Sequence, residues 1–107
     1  EACAQWPRAD VPASYFEPRP LDIPTLILSG NLDPVTPPHW GEGLRRWLPN
    51  SLHLIGVGAH TAMDECLERI RRDFFAAGSV RGLDTRCMGE ATLPPFMLPA
   101  QAAAAES

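Results

Sequence analysis

Two short apolar segments separated by a predicted helix constrain the fold of this chain most strongly. Residues 24–30 form a nearly all-apolar run without alternation, which is typical of parallel strands covered on both faces. Residues 51–57 are a second predicted strand, in which His53 alternates with Leu52 and Leu54. Between them, Thr36-Pro37-Pro38 predicts the start of a helix, with Thr36 as its N-cap and proline in its first turn. A strand, a helix and a strand in succession predict a right-handed parallel β-α-β unit.

The rest of the chain adds one helix and two irregular segments. A second helix is predicted over residues 62–77, with Gly78 as its C-cap. Prolines make residues 1–23 irregular, and residues 79–99 are predicted to return as a loop. The fold is therefore predicted to be α/β, a parallel β-α-β-α unit in one domain over residues 1–99, followed by an Ala-rich tail over residues 100–107 that we expect to be disordered. The apolar stripe of the second helix consists of Met63, Cys66, Leu67, Ile70 and Phe74.

Composition argues against several classes of partner and cofactor. The formal net charge is −4 at pH 7, whereas a nucleic-acid interface needs a clustered basic face. No apolar run approaches the roughly 18–20 residues of a membrane span. The histidines and the three cysteines do not have the spacing of a zinc motif. We therefore expect no nucleic acid, no membrane span, no metal and no cofactor.

Asp33 and His60 are the candidate catalytic residues because each follows a predicted strand. The carboxyl ends of parallel strands meet at one edge of an open sheet, so we expect these two side chains to approach each other. A histidine can take a proton from a nucleophile near neutral pH, and a carboxylate on its other ring nitrogen fixes the tautomer. The alternatives are a turn or capping role for Asp33 and a loop or capping role for His60.

Other polar and aromatic residues have simpler interpretations. His53 lies inside the second predicted strand and is expected to be structural or exposed, whereas His39 is expected to be an exposed residue of the first helical turn. Trp40 and Trp47 are predicted core residues, with substrate lining as the lesser alternative. Trp6, Tyr15 and Phe16 indicate that the N-terminal segment packs against another surface. Glu42 or Asp64 could be the candidate acid in place of Asp33 only if the loop that contains Asp33 is misassigned.

The nucleophile half of a serine-hydrolase triad is missing from this sequence. No G-x-S-x-G occurs, and neither Ser14 nor Ser29 has the setting of that motif. The order of an acid followed by a histidine matches the second half of a Ser–Asp–His order. We therefore expect this chain to be the C-terminal piece of a larger hydrolase, with the N-terminal remainder as its partner. Unpaired sheet edges also predict that the isolated chain self-associates.

Several segments together resemble one known family. They are CAQWP at residues 3–7, PTLILSG at 24–30, LDPVTP at 32–37, Cys66, LDTRC at 83–87 and PPF at 94–96. The chain resembles the C-terminal domain of secreted tripeptidyl-aminopeptidase-like (TAP-like) α/β-hydrolases, which are relatives of the proline iminopeptidases. The resemblance implies that Asp33 matches the triad acid and His60 the triad base. Ala59 stands where that family usually has glycine.

The resemblance also implies an activity and a location. It implies a secreted, periplasmic or cell-envelope serine hydrolase, an exo-aminopeptidase that acts on peptides. An esterase acting on small esters is an alternative on the same frame, because fold does not fix substrate. A non-catalytic α/β scaffold or binding module, in which the acid and the histidine are relics, is the alternative from another class.

A disulfide between Cys66 and Cys87 is a further expectation. The chain rises about 18 Å along the predicted helix from Cys66 to Gly78, and residues 79–87 are long enough to return over that distance. The alternative is a buried Cys66 thiol on the apolar stripe. The family resemblance and an exported context favour the bond. Cys3 is then expected to pair with a cysteine outside this chain.

Overall fold

The sheet of this protein has two parallel strands. The computed structural model describes residues 2–60, 64–93, 95 and 96. In it, β1 (Thr25–Gly30) pairs with β2 (Ser51–Gly56) in register along their whole length, from Thr25 opposite Ser51 to Gly30 opposite Gly56. Both strands fall within the two apolar segments. The predicted α/β class and the parallel strand pairing are confirmed.

Two helices complete the order β-α-β-α. Helix α1 (Pro38–Leu44) connects the strands and is followed by a 3-10 turn, Arg45–Trp47. Helix α2 (Glu65–Ala77) follows β2. The end of α2 agrees with the sequence prediction, because Gly78 adopts a left-handed conformation with φ 61° and its N–H donates to Phe74 O.

The core lies between α2 and the sheet. Leu67 and Ile70, both on the predicted apolar stripe, are fully buried. Leu67 fits because β2 ends in glycine: a Cβ at Gly56 would lie 2.5 Å from Leu67 Cδ1. Asp64 begins α2 by accepting a hydrogen bond from Leu67 N over 2.8 Å. Met63, predicted on the same stripe, lies outside the described residues.

Helix α1 differs from the prediction at its start and in its burial. Thr36 is not its N-cap; Pro37 takes that position without a side-chain hydrogen bond, and Pro38 is the first helical residue. Proline has no N–H, so this helix start has fewer donors that need a cap. Trp40 is 59% exposed and Trp47 is half-buried. The prediction of a core position is therefore wrong for Trp40, because two strands are too narrow to cover this side of α1.

Residues 2–23 are irregular, as predicted, apart from 3-10 turns at Ala2–Gln5 and Ala13–Phe16. The side chains of Trp6, Tyr15 and Phe16 are exposed, so the described part of this chain does not provide the surface expected to cover them. The return loop contains a 3-10 turn at Arg86–Gly89. The Ala-rich tail over residues 100–107 lies outside the described residues.

The predicted disulfide is present. Cys66 in α2 is bonded to Cys87 in the return loop, with Cα atoms 5.7 Å apart. This bond is consistent with an extracellular location. Cys3 is an exposed free thiol within the described residues.

Candidate active site

The loop after β1 buries Asp33 and gives its carboxylate four hydrogen bonds. Oδ1 accepts from the backbone N–H groups of Val35 at 2.8 Å and Thr36 at 3.0 Å. Oδ2 accepts from the Thr36 hydroxyl at 2.6 Å and faces His60 Nδ1 at 3.0 Å. Asp33 therefore has the turn-forming role of the alternative interpretation and also contacts the candidate base.

These contacts determine the protonation state of Asp33. Burial acts to raise the pKa of its carboxyl, but the hydrogen bonds from the Thr36 hydroxyl and amide, from His60 and from the Val35 amide outweigh it. The pKa of Asp33 consequently lies well below its ordinary value of 3.8. The side chain is a carboxylate at neutral pH and acts only as an acceptor.

The state of Asp33 assigns the tautomer of His60. Because a carboxylate can only accept, the hydrogen between Asp33 Oδ2 and His60 belongs to Nδ1. Nε2 of the neutral ring then carries a lone pair, and the side chain is 51% exposed. The arrangement provides a general base whose orientation is fixed by an ionised acid.

The loop that carries His60 is held directly against the end of β1. Leu32 N–H donates to Gly58 O over 2.8 Å, and Asn31 N–H donates to Gly56 O over 2.9 Å. The Asn31 side chain also binds the His60 loop, because its Oδ1 accepts a hydrogen bond from Gly58 N–H over 2.9 Å. The two loops are so close that a Cβ at Gly30 would overlap the carbonyl oxygen of Ala59.

The structure brings Asp33 and His60 together at one sheet edge, as expected from the strand order. Their catalytic role stays a prediction. Sequence reasoning missed two neighbours, Thr36 and Asn31. Thr36 was assigned to the helix N-cap, and Asn31 has no local pattern that indicates a partner in the loop after β2. The two alternative acids have other partners: Asp64 caps α2, and Glu42 binds Arg45 and His53.

A second set of serine, histidine and carboxylate lies beneath α1. The Ser29 hydroxyl is 2.9 Å from His53 Nε2, and His53 Nδ1 is 3.1 Å from Glu42 Oε2. The hydrogen bond from His53 is the main cause that lowers the pKa of Glu42, against the effect of desolvation. Nδ1 therefore donates to a carboxylate, and Nε2 accepts from the serine hydroxyl.

This second set has no room for a substrate. The His53 side chain is 3% exposed, and the backbone of α1 lies on its ring, since a Cβ at Gly41 would lie 2.7 Å from Nε2. Ser29 lies within β1 rather than on a strand-to-helix turn. These hydrogen bonds link α1 to both strands around the buried His53 ring, which agrees with the structural role considered for His53.

Two further sequence expectations concern ligands and membranes. In residues 2–60, 64–93, 95 and 96, no group of three or more histidine, cysteine or acidic side chains could hold a metal ion. Within the same residues, neither helix is long and apolar enough to cross a membrane.

Comparison with known proteins identifies the family. A family model described as TAP-like protein matches residues 1–87, which include both strands, both helices, Asp33, His60 and the disulfide. No curated protein and no solved structure matches the chain. The match covers most of the chain and agrees with its α/β composition and parallel strand pair. The chain therefore belongs to the TAP-like family of α/β-hydrolases.

Proposed function

We propose that this chain supplies the acid and the general base of a serine hydrolase, Asp33 and His60. One observation carries the proposal: the 3.0 Å contact between Asp33 Oδ2 and His60 Nδ1, on loops that follow neighbouring parallel strands. The serine nucleophile and the oxyanion-hole amides would come from an N-terminal part of the enzyme outside this sequence. That N-terminal part is the proposed partner of the exposed apolar side chains.

The proposed chemistry is acyl transfer with one proton shuttle. His60 Nε2 takes the hydroxyl proton as the serine oxygen attacks the carbonyl carbon of the substrate. The imidazolium gives that proton to the leaving amine or alcohol, which leaves an acyl-enzyme. Water then attacks the acyl carbon, and His60 again takes a proton and returns it to the serine. Asp33 stays ionised throughout, because its pKa is well below neutral pH.

For the substrate we propose peptides cleaved from their N-terminal end, on the family resemblance. For the location we propose an exported protein, supported by the Cys66–Cys87 disulfide. A small-ester substrate is the second candidate, because peptide and ester cleavage share the acyl-transfer step.

The test uses the longer protein that contains this chain. We expect it to react with a serine-directed fluorophosphonate and to hydrolyse aminoacyl or tripeptidyl p-nitroanilides faster than p-nitrophenyl esters. Each of His60→Ala and Asp33→Ala is expected to lower kcat by about 10⁴-fold or more. His39→Ala, which removes an exposed histidine of α1, is the matched control and should leave kcat unchanged. Wild-type activity in His60→Ala would refute His60 as the general base, whereas a wild-type protein with no hydrolase activity would favour the non-catalytic scaffold.

The isolated 107-residue chain provides a second test. It should hydrolyse none of these substrates, because it has no nucleophile elbow. Turnover that copurifies with the chain and disappears in His60→Ala would show that a nucleophile lies within these residues.

A further inference from the structure

The Thr36 side chain contacts both members of the Asp33–His60 pair. Its hydroxyl donates to Asp33 Oδ2 over 2.6 Å, and the same oxygen lies 3.3 Å from His60 Nδ1. Its backbone N–H donates to the other carboxylate oxygen, Oδ1, at 3.0 Å. Thr36 is thus the residue that binds both oxygens of the carboxylate.

The hydroxyl is free for this role because of how α1 begins. A threonine before a helix ordinarily turns its oxygen toward the first backbone N–H groups. Here Pro37 and Pro38 provide no N–H, and the cap position has no side-chain hydrogen bond. The Thr36 hydroxyl therefore turns back toward the loop that precedes the helix.

The hydroxyl also contributes something that the backbone cannot. The Val35 and Thr36 amides hold Oδ1, but the terminal torsion of an aspartate is soft, and one anchored oxygen does not fix the plane of the carboxylate. The hydroxyl holds Oδ2, the oxygen that faces His60. Short hydrogen bonds to an ionised oxygen are among the stronger ones in proteins.

We propose that Thr36 is a positioning residue of this pair: its hydroxyl holds Asp33 Oδ2 against His60 Nδ1 and thereby maintains the Nδ1–H tautomer. The catalytic meaning of this inference rests on the proposed function. The tautomer itself is a property of the chain and can be measured without any activity.

The first experiment is nitrogen NMR of the 107-residue chain labelled with ¹⁵N-histidine, at a pH where His60 is neutral. Thr36→Val is close to isosteric and removes the hydroxyl, Thr36→Ser retains it, and Asp33→Ala removes the acceptor. We expect the Nδ1–H tautomer of His60 to dominate in the wild type and in Thr36→Ser. Its fraction should fall at least twofold in Thr36→Val and in Asp33→Ala.

A Thr36→Val spectrum with wild-type ring-nitrogen shifts, while Asp33→Ala loses them, would overturn the inference. Thr36→Ala keeps both backbone hydrogen bonds to Oδ1 and is measured in parallel. If Thr36→Val does not give the amide spectrum of the folded wild type, Thr36→Ala is used in its place. Wild-type ring-nitrogen shifts in Thr36→Ala would then overturn the inference.

The second experiment separates this inference from the proposed function. In the longer protein, Thr36→Val should lower kcat about tenfold at unchanged KM, the effect of one lost hydrogen bond to a charged group, and Thr36→Ser should restore it. A tautomer that depends on Thr36 in a protein without hydrolase activity would refute only the function. If the protein is an active hydrolase and Thr36→Val changes neither the His60 tautomer nor kcat, only the positioning role is refuted.

Discussion

Each oxygen of the Asp33 carboxylate has two hydrogen-bonding partners, which explains how a charged side chain is stable in a buried position. Oδ1 accepts from two backbone amides, and Oδ2 accepts from Thr36 and His60. A buried charge is strongly unfavourable unless its lost water contacts are replaced in this way. The loop after β1 is therefore organised around an ionised acid, and acid pH should disturb it.

Lowering the pH is expected to destabilise the chain through Asp33. The folded-state pKa of this residue lies below its ordinary value of 3.8, so the unfolded chain binds a proton at a higher pH than the folded chain does. The stabilisation is complete above about pH 5 and is lost progressively as the pH falls toward the folded-state pKa. Chemical denaturation should show a smaller loss of stability from about pH 5 to pH 3 in Asp33→Asn than in the wild type.

Asp84 provides the matched control for that titration. Hydrogen bonds from the Arg86 side chain and amide hold its pKa well below the ordinary value. Asp84→Asn should remove the contribution of Asp84 and leave that of Asp33. If Asp33→Asn and the wild type lose stability equally on acidification, Asp33 does not carry the effect.

Gly30→Ala is expected to separate the two loops of the site. A Cβ there would overlap Ala59 O and lie 2.6 Å from Gly58 O, and neither backbone atom can turn aside. We expect a loss of about 1–3 kcal/mol in the free energy of unfolding, typical of overpacking. Gly43→Ala is the control in α1, where the nearest atom is Arg46 Nη2 at 3.9 Å. It should be neutral or stabilise by up to about 1 kcal/mol, and equal effects of the two variants would contradict the prediction.

At the scale of the elements, the site depends on how the loops after β1 and β2 are joined. The strands deliver both loops to one sheet edge, but the strand register alone does not bring His60 to Asp33. Asn31 does part of this, because its backbone N–H binds the last residue of β2, Gly56, and its side chain binds Gly58 in the loop after β2. The distance between acid and base is thus set by hydrogen bonds between loops, beyond the last strand pair.

Asn31→Ala is expected to loosen the loop that carries His60. The variant removes the acceptor of Gly58 N–H, and one such hydrogen bond contributes about 1 kcal/mol. Amide hydrogen exchange at Gly58 should become about five- to tenfold faster by local opening. Asn31→Asp keeps an oxygen in place and should exchange nearly as slowly as the wild type. Unchanged exchange in Asn31→Ala would mean that other contacts hold the loop.

At the scale of the whole molecule, the described part of this chain buries little of its apolar surface. Among the described residues only Leu67 and Ile70 are fully buried apolar side chains, and each strand of the two-stranded sheet pairs on one side only. Large apolar side chains are exposed on the N-terminal segment, on α1 and on β2. Such surfaces and edges favour association with another chain or segment.

We therefore expect the purified chain to self-associate. Light scattering coupled to gel filtration should give an apparent mass that rises with concentration above that of an 11.7 kDa monomer. Ile55→Lys places a charge on the exposed side of β2 and should shift association to higher concentration. A monomer at every concentration would show that the chain protects its own apolar surface.

The disulfide is expected to compensate in part for this small core. It closes a loop between positions 21 residues apart, and loss of such a bond costs about 3 kcal/mol. Cys87→Ser should lower the unfolding free energy by that amount and release the turn at Arg86–Gly89. Cys3→Ser is the control and should have no effect. Thiol titration of denatured, unreduced protein should find one free cysteine, and finding three would refute the bond.

The features that depend on neighbouring residues can be predicted from the order of the amino acids alone. An apolar run without alternation indicated β1, a second short segment rich in apolar residues indicated β2, the helical stripe placed Leu67 and Ile70 in the core, and Gly78 ended α2 because it tolerates a left-handed backbone. The parallel order also predicted that Asp33 and His60 share one sheet edge. All of these follow from local preference combined with the handedness of β-α-β connections.

The partner that each polar side chain binds depends instead on how the strands, helices and loops pack together. Thr36 fits a helix cap by local preference, but its hydroxyl binds the carboxylate of Asp33, which also contacts His60 from a distant part of the chain. His53 is buried rather than exposed because α1 crosses directly over it, and Trp40 is exposed because the sheet does not extend beneath it. A hydrogen bond or a contact needs two groups in one place, and the packing of strands and helices brings them there.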